Sequence, residues 1–332
     1  MPIWDDELYF QAHQGTLTTQ GLVKHMNRLL EWRITGLEMY STLIEMVGGP
    51  EIPYAQLTQV WKDILTNQFH DILPGSSIAE VYDDTYDYFI ECQETLNGIE
   101  AHIVDWLISK DGLDQNQFIC INTMGFQRYG LIELPISRNM GDKIKSIVLK
   151  SEIGEKNLPV QFIPGDNDVS EPLLKRPDRL GFVMEMDSFE WVTGKFSEKV
   201  YPEEIQKLEA IETEMEILIK NAYLEVTINK LTGSVISALW KPENGSPRQI
   251  FHGSAFELRV FADFIGADAW EISPSFRDEP IDWIIVSPSK IVEFGSVRAV
   301  VETQLKIDEG ESLFIHRIIL YADLAEIHTE LL

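Results

Sequence analysis

A heptad repeat of apolar residues between positions 78 and 109 is the feature that most constrains how this chain folds. Large apolar side chains recur at seven-residue steps, at Tyr82, Phe89, Leu96 and Ile103. Further apolar residues stand at intermediate positions, at Cys92, Ile99 and Trp106. This spacing keeps one face of a helix apolar over several turns and is typical of a seam against neighbouring helices. The repeat therefore predicts a long helix within a helical bundle.

Two shorter helical patterns precede this seam and complete the predicted bundle. The first follows Thr18 and Thr19, which we expect to cap its start, and it ends at the Gly-Gly-Pro of residues 48–50. Its apolar residues fall near one face, at Leu22, Met26, Leu29, Leu37, Tyr40, Leu43 and Val47. The second pattern covers residues 54–69. Together they predict a three-helix bundle over residues 1–111.

Beyond Gly112 the apolar residues recur in short runs separated by Gly, Asn, Pro and charged residues. These runs lie at 118–121, 129–136, 144–149, 158–163, 291–305 and 313–321. A hairpin at 224–236 is predicted to turn at Gly233, and the polar residues 165–177 read as a surface loop. Such strands predict a small β-sandwich at 112–210 and the start of a C-terminal β-sandwich at 211–332. The fold class is thus α+β multidomain, a three-helix bundle followed by antiparallel β-sandwich domains.

The net charge, the cysteine count and the lack of a long apolar run limit the partners and the location that we expect. The 332 residues carry a net charge of −27, which disfavours nucleic acid and anionic membranes because binding to either depends on Lys and Arg. Cys92 and Cys120 cannot staple a chain of this size and read as buried apolar residues. The sequence has neither a long apolar run nor a charged-then-apolar leader, so we expect no membrane span and a cytoplasmic location.

The segment 61–78 carries the residues with the clearest chemistry. A helical stretch ends in the adjacent pair His70 and Asp71, and a Pro-Gly pair then breaks the chain. Ser77 and Glu80 have the spacing of a capping box for the next helix. A neutral imidazole is a common metal ligand, and a neighbouring carboxylate can orient the ligand network. From the residues alone, a hydrogen-bonded corner histidine without a ligand is the more common outcome, because a metal site needs about four ligands.

Three further residues are candidates for contact with a sugar: His13, Asp268 and Trp270. A carboxylate can bind a pair of hydroxyl groups, and an indole face can stack on the apolar side of a pyranose. Other roles stay open on the residues alone. His13 could be a satisfied helix-entry histidine, and the other two could be an Asx-turn aspartate and a core tryptophan.

The string Gln-Phe-His-Asp-Ile-Leu-Pro-Gly-Ser-Ser-Ile at 68–78 resembles the metal-site corner of the α-mannosidases of glycoside hydrolase family 38. Two other blocks are similar to that family in the same order along the chain. Residues 7–19 contain Glu-Leu-Tyr, His-x-Gly-Thr and Thr-Thr and are similar to the segment that leads into its helical domain. The Asp-Ala-Trp of 268–270 resembles a block in its C-terminal β region. The resemblance covers essentially the whole chain, and the first block is the most specific.

The resemblance implies a retaining, metal-dependent hydrolase of terminal α-mannosides on oligosaccharides. In that family a His-x-Asp pair, a nucleophilic Asp and the corner His hold the metal, so His70 would be one ligand of zinc and Asp71 its neighbouring partner. No His-x-Asp occurs in this sequence. We therefore expect the nucleophile and the acid/base residue upstream, no catalytic residue in this chain, and a fragment that is inactive and leaves the zinc site unfilled.

Exposure of His70 is a geometric expectation. A histidine that reaches a metal held by another domain cannot be sealed inside its own bundle, so we expect Phe69 and Leu73 to be partly uncovered too. That apolar patch would favour self-association into a homo-oligomer. The alternative is a non-catalytic carbohydrate-binding or architectural β module on a helical stalk, which would have no need of the motif at 68–78.

Overall fold

The computed structural model describes residues 13–114, 116–151, 154–165, 175–200, 207–262, 269–273, 275–278, 280–307 and 312–332. Its contacts form two compact units. The first comprises Met1–Asp114 with Phe261–Glu279, and the second comprises Gln115–Val260 with Pro280–Leu332. The architecture is α+β, with a helical N-terminal region and antiparallel sheets, as the sequence predicts. None of the helices described has the length and apolarity that a membrane span requires.

The first unit is a bundle in which each helix contacts the other two. The helices are α1 (Gly21–Met46), α2 (Tyr54–Thr66) and α3 (Ala79–Asp111), and a 3-10 turn at Gln14–Leu17 precedes α1. The heptad residues of α3 are buried, with Trp106 half-buried at the end of the seam. The predicted seam is confirmed. Helix α2 ends three residues early, because Asn67 closes it by donating Nδ2 to the carbonyl of Asp63 at 2.8 Å.

The buried stripe of α1 differs from the predicted one. Its buried apolar residues are Val23, Met26, Leu30, Ile34, Leu37 and Ile44. With the buried Ser41, these follow steps of three and four residues, which keep in phase with the helical period. Of the predicted face, Leu22, Leu29, Tyr40 and Leu43 are only half-buried and Val47 is exposed. Met26 and Leu37 are buried as predicted, and the other positions of the predicted face were wrong, because α1 contacts two neighbouring helices and buries a wider stripe.

Two predicted helix caps are also wrong. The residue that caps α1 is Gln20, at φ 53°, and the hydroxyl of Thr19 donates instead to the carbonyl of Gly15 at 2.7 Å. The capping box at the start of α3 is not formed. Ile78 occupies the cap position, and Ser77 Oγ donates to the carbonyl of Asp71 at 2.7 Å. In both places the hydroxyl that was expected to cap the helix donates instead to a backbone carbonyl of the preceding turn.

The sheets are antiparallel, and a short helix α4 (Arg138–Gly141) interrupts them. The strands are β1 (Gln117–Ile121), β2 (Arg128–Pro135), β3 (Ser146–Ser151), β4 (Gly154–Pro159), β5 (Gln161–Ile163), β6 (Arg179–Met186), β7 (Trp191–Ser197), β8 (Glu209–Glu212), β9 (Glu216–Lys220), β10 (Leu224–Asn229), β11 (Val235–Trp240), β12 (Arg248–Gln249), β13 (Val260–Phe261), β14 (Pro280–Ile281), β15 (Trp283–Phe294), β16 (Arg298–Ile307), β17 (Leu313–Tyr321) and β18 (Ile327–Leu331).

Two pairs of sheets in the second unit enclose apolar cores. Sheets β1-β7-β3-β4 and β2-β6-β5 cover the first core, which contains Phe118, Cys120, Leu180 and Phe182. Sheets β12-β11-β10-β9-β8 and β15-β16-β17-β18 cover the second, which contains Val226, Ile228, Val301 and Ile318. Apolar faces of two sheets packed together are β-sandwiches, so that architecture is confirmed. The boundaries at 111/112 and 210/211 stay predictions.

Several strand assignments need correction. The predicted strand at 158–163 is two strands, because the chain passes from β4 in one sheet to β5 in the other at Val160. The run at 291–305 is broken by a turn, in which Gly295 N donates to the carbonyl of Arg298 at 3.1 Å. Strands β6, β7 and β8 were not predicted. Most of the predicted loop at 165–177 lies outside the described residues.

Candidate functional site

The turn between α2 and α3 presents His70 and Asp71 at the surface of the first unit. Their side chains are 76% and 41% exposed, and His70 Nε2 lies 3.4 Å from Asp71 Oδ2. The ring of Phe69 lies 4.3 Å from that of His70, centroid to centroid, and is itself exposed. Leu73 is half-buried. The predicted exposure of His70 and its apolar neighbours is confirmed.

Hydrogen bonds fix the backbone of this turn, although the side chains of His70 and Asp71 are exposed. The carbonyl of Asp71 accepts hydrogen bonds from Ser76 N at 3.2 Å and Ser77 Oγ at 2.7 Å. Tyr82 OH accepts from Ser77 N at 2.8 Å and lies 3.4 Å from the same carbonyl. Gly75 adopts φ 93°, a left-handed conformation that favours glycine. A fixed backbone lowers the cost of presenting the exposed imidazole and carboxylate to a ligand, because only the side chains remain to be ordered.

A polar stripe on α1 holds the two sides of the turn, and the sequence reading missed it. Gln68 Nε2 donates to Asn27 Oδ1 at 3.2 Å and to Glu31 Oε1 at 2.7 Å. Lys24 Nζ donates to the carbonyl of Leu73 at 2.8 Å. The three residues on α1 stand at i, i+3 and i+7, so they share one face of the helix. Polar residues at helical spacing among buried apolar ones were the available signal.

The other sugar-contact candidates lie at a second place in the same unit. The rings of His13 and Trp270 have centroids 4.9 Å apart. Gly15 N donates to the carbonyl of Trp270 at 3.1 Å, and Thr19 Oγ1 donates to the carbonyl of Ala269 at 3.2 Å. Two blocks that the sequence identified separately are therefore in contact. The third candidate, Asp268, lies outside the described residues.

Lys24 connects these two places. Its Nζ donates to the carbonyl of Thr19 at 2.5 Å as well as to that of Leu73. The two loops also touch directly, since a Cβ on Gly75 would lie 2.7 Å from the oxygen of Thr19. All three blocks that carry the family resemblance are thus linked within the first unit.

The donor set of the corner suits a metal only in part. Imidazole nitrogen and carboxylate oxygen are both ligands that zinc accepts, and His70 and Asp71 supply one of each. Within the described residues, no group of three or more His, Cys, Asp and Glu is placed to hold a metal ion. The pair could supply at most two of the four ligands that a zinc site needs.

Residues 11–107 match the family model described as the alpha mannosidase middle domain. Alpha-mannosidase G of Dictyostelium discoideum is 27% identical over 312 residues, covering 90% of this chain and 28% of that protein. Alpha-mannosidase of Saccharomyces cerevisiae is 39% identical over 84 residues, covering 25% of this chain and 8% of that protein. Alpha-mannosidase 2C1 of Mus musculus is 29% identical over 184 residues, covering 55% of this chain and 17% of that protein.

Two solved structures share the fold. A crystal structure of an alpha-mannosidase from Enterococcus faecalis superposes with a TM-score of 0.60 at 14% identity, covering 96% of this chain and 41% of that one. A protein in glycosyl hydrolase family 38, also from Enterococcus faecalis, gives a TM-score of 0.59 at 14% identity, covering 96% and 43%.

The middle-domain match, the curated relatives and the shared fold together support a fragment of a glycoside hydrolase family 38 α-mannosidase. The chain matches the alpha mannosidase middle domain over residues 11–107. It spans between 8% and 28% of the length of the curated relatives described above.

Proposed function

We propose that this chain is the middle helical and C-terminal β portion of a retaining, metal-dependent α-mannosidase that acts on terminal α-mannosides of oligosaccharides. The observation that carries the proposal is the exposed His70–Asp71 pair on a fixed turn inside the matched middle domain. The names of the curated relatives support the substrate class. The cytoplasmic location and a homo-oligomeric state remain proposals of the same kind.

In this proposal the chain supplies part of a composite site. His70 provides an imidazole ligand and Asp71 a carboxylate that orients it or accepts a hydrogen bond from the sugar. A zinc ion, when bound, would stabilise negative charge on sugar oxygens. Retaining hydrolysis needs two carboxylates about 5–5.5 Å apart across the scissile bond. We assign both to a part of the enzyme outside this chain, so the 332-residue chain alone is expected to be inactive.

The pair of His13 and Trp270 is proposed as a secondary contact for the oligosaccharide. Trp270 is half-buried, and the exposed ring of His13 lies beside it at an interplanar angle of 57°. An indole held by neighbours is a suitable platform for the apolar side of a pyranose, because little ordering is needed on binding. Asp268 stays a candidate for the same role.

Two measurements on the isolated chain test whether the catalytic carboxylates and the remaining zinc ligands lie outside it. Incubation with an aryl α-mannoside should release no more product than buffer, whereas the full-length protein should turn the substrate over and lose activity to a chelator. Zinc titration of the chain should reveal no site tighter than about micromolar, which corresponds to roughly 8 kcal/mol. Turnover by the chain that a chelator abolishes, or one zinc per chain retained through dialysis, would contradict the proposal.

A further inference from the structure

Lys24 has an unusual environment for a lysine. It lies in the first turns of α1, half-buried, and its Nζ donates to two backbone carbonyls, those of Thr19 and Leu73. No carboxylate in the described part of the chain forms an ion pair with it. Burial lowers the pKa of this amine below its ordinary value. Burial of an amine is unfavourable in itself, and the two hydrogen bonds to backbone carbonyls offset part of that penalty.

The carbonyl that Lys24 binds belongs to the turn that carries His70. Leu73 N donates to the carbonyl of Phe69 at 3.1 Å, which closes the turn around His70 and Asp71. Holding the oxygen of Leu73 therefore restrains the whole closed turn. The other acceptor, Thr19, is the residue against which Gly75 packs without room for a Cβ. Lys24 thus bridges the two loops at the place where their backbones touch.

The turn is held at both of its ends from the same face of α1. Asn27 and Glu31 hold Gln68, two residues before the histidine, and Lys24 holds Leu73, three residues after it. A segment fixed at two points can rotate little about its own axis. The position of the His70 backbone, and with it the direction of its Cα–Cβ bond, is consequently restrained by α1 and by the turn together.

We propose that Lys24 is a positioning residue for His70: by fixing the carbonyl of Leu73 against Thr19, it sets the direction in which the turn presents the metal ligand. The inference rests on the proposed function, in which His70 binds the metal. It adds a residue that contacts neither metal nor substrate yet changes metal affinity. Residues that orient metal ligands typically change affinity by about 10- to 100-fold when they are lost.

Three variants test the inference. Lys24→Met keeps the aliphatic stem and removes the donors, and Lys24→Arg restores donors at nearly the same reach. Arg33→Met is the matched control, because Arg33 also bridges α1 to another helix, through Nη2 to Asn97 Oδ1 and Glu100 Oε2, both at 2.9 Å. If Lys24→Met fails to fold, Lys24→Leu, which also lacks a donor, replaces it with the same expected direction.

The first readout needs no metal. Amide hydrogen exchange of the isolated chain should become at least about tenfold faster at Leu73, Gly75 and Ser76 in Lys24→Met, because their amides close the restrained turn. Exchange there should stay unchanged in Arg33→Met and return most of the way in Lys24→Arg. Equal exchange in Lys24→Met and the wild type would overturn the inference.

The second readout is zinc affinity of the full-length protein. Lys24→Met should lower it by about tenfold or more, and kcat at saturating zinc should fall by a smaller factor, since the ligand itself remains. An unchanged zinc affinity in Lys24→Met, with His70→Ala strongly impaired, would refute the role of Lys24 alone. Unchanged zinc content in His70→Ala would instead refute the proposed function, whatever the exchange data show.

Discussion

The imidazole of His13 lies with its centroid 4.9 Å from the indole of Trp270. The backbone N–H of His13 also donates to Glu271 Oε1 at 2.7 Å, and His13 adopts φ 69°. Two segments far apart in the sequence thereby come into contact within the first unit. A residue with a side chain at positive φ is uncommon and is kept only where its surroundings require it. Here the contact with Trp270 and Glu271 provides that requirement.

Gly15 should tolerate no side chain, because the same junction leaves no room. A Cβ there would lie 2.8 Å from the carbonyl oxygen of Ala269, which is backbone and cannot rotate away. We expect Gly15→Ala to lower the free energy of unfolding by about 1–3 kcal/mol. Gly98→Ala is the control, since nothing lies within 4 Å of its Cβ position in the middle of α3.

Urea unfolding of both variants, followed by helical circular dichroism, measures the effect. Gly98→Ala should raise the free energy of unfolding by about 0.4–1 kcal/mol, because alanine restricts the unfolded chain and favours helix. If Gly15→Ala is as stable as the wild type, the close approach of the two segments is not present in solution.

Asn221 should be among the most sensitive positions of the second unit. Its buried side chain donates from Nδ2 to the carbonyls of Tyr321 and Leu324 at 2.7 and 2.8 Å. Its Oδ1 accepts from the backbone amides of Tyr223 and Leu224 at 2.8 and 2.7 Å. Asn221→Ala removes a hydrogen-bond partner from all four backbone groups, and each buried group left unsatisfied costs about 1–3 kcal/mol.

We therefore expect Asn221→Ala to destabilise the second unit by more than about 3 kcal/mol, measured by calorimetry. The exposed Asn244 gives a matched substitution, and Asn244→Ala should stay within about 0.5 kcal/mol of the wild type. Similar unfolding temperatures for the two variants would refute the role assigned to Asn221.

His316 should make the stability of the second unit depend on pH. The residue is buried on β17, its Nε2 lies 3.1 Å from Thr329 Oγ1, and its Nδ1 has no hydrogen-bond partner among the described residues. Burial lowers the pKa of His316 below its ordinary 6.5. As the pH falls below about 6.5, the unfolded chain then binds more protons than the folded one. The contribution of neutral His316 to the free energy of unfolding is therefore present above that pH and is lost as the pH falls through the pKa of the folded state.

The variant His316→Gln removes this titration. Between pH 7 and pH 5, its free energy of unfolding should change less than that of the wild type. The other titratable groups are the same in both proteins, so the difference reports His316. Denaturant titrations at both pH values decide this. Equal pH dependence in the two proteins would show that His316 titrates normally in the folded state.

Local sequence patterns predicted the parts of the fold that depend on neighbours in the chain. The α3 seam, the hairpin that turns at Gly233 (φ 72°) and strand β17 are all present. Strand β6 was missed because it is buried on both faces. Phe182 packs in the first sandwich core, and Val183 packs in a separate apolar cluster with Val300 and Ile319. Burial on both faces removes the alternation by which a strand is recognised.

The candidate site likewise has parts that the sequence predicted and parts that it could not. His70 and Asp71 could be found because their motif is continuous in the sequence, and their exposure followed from the reach that a shared metal requires. The bonds from Lys24 to Leu73 and from Gln68 to Glu31 could not be found, because they join residues that only the folded bundle brings together. The contact of His13 with Trp270 is of the same kind, although both residues had been identified singly.

The central claim is that His70 is a metal ligand of a longer α-mannosidase, and zinc content tests it most directly. Full-length wild type, His70→Ala and His102→Ala should be purified in parallel, dialysed against metal-free buffer and analysed for zinc and for hydrolysis of an aryl α-mannoside. His102 is an exposed histidine on α3 of the same unit and serves as the control. We expect wild type and His102→Ala to retain zinc and activity, and His70→Ala to lose both. Zinc and activity in His70→Ala equal to those of His102→Ala would contradict the claim and favour a carbohydrate-binding or architectural role for this chain.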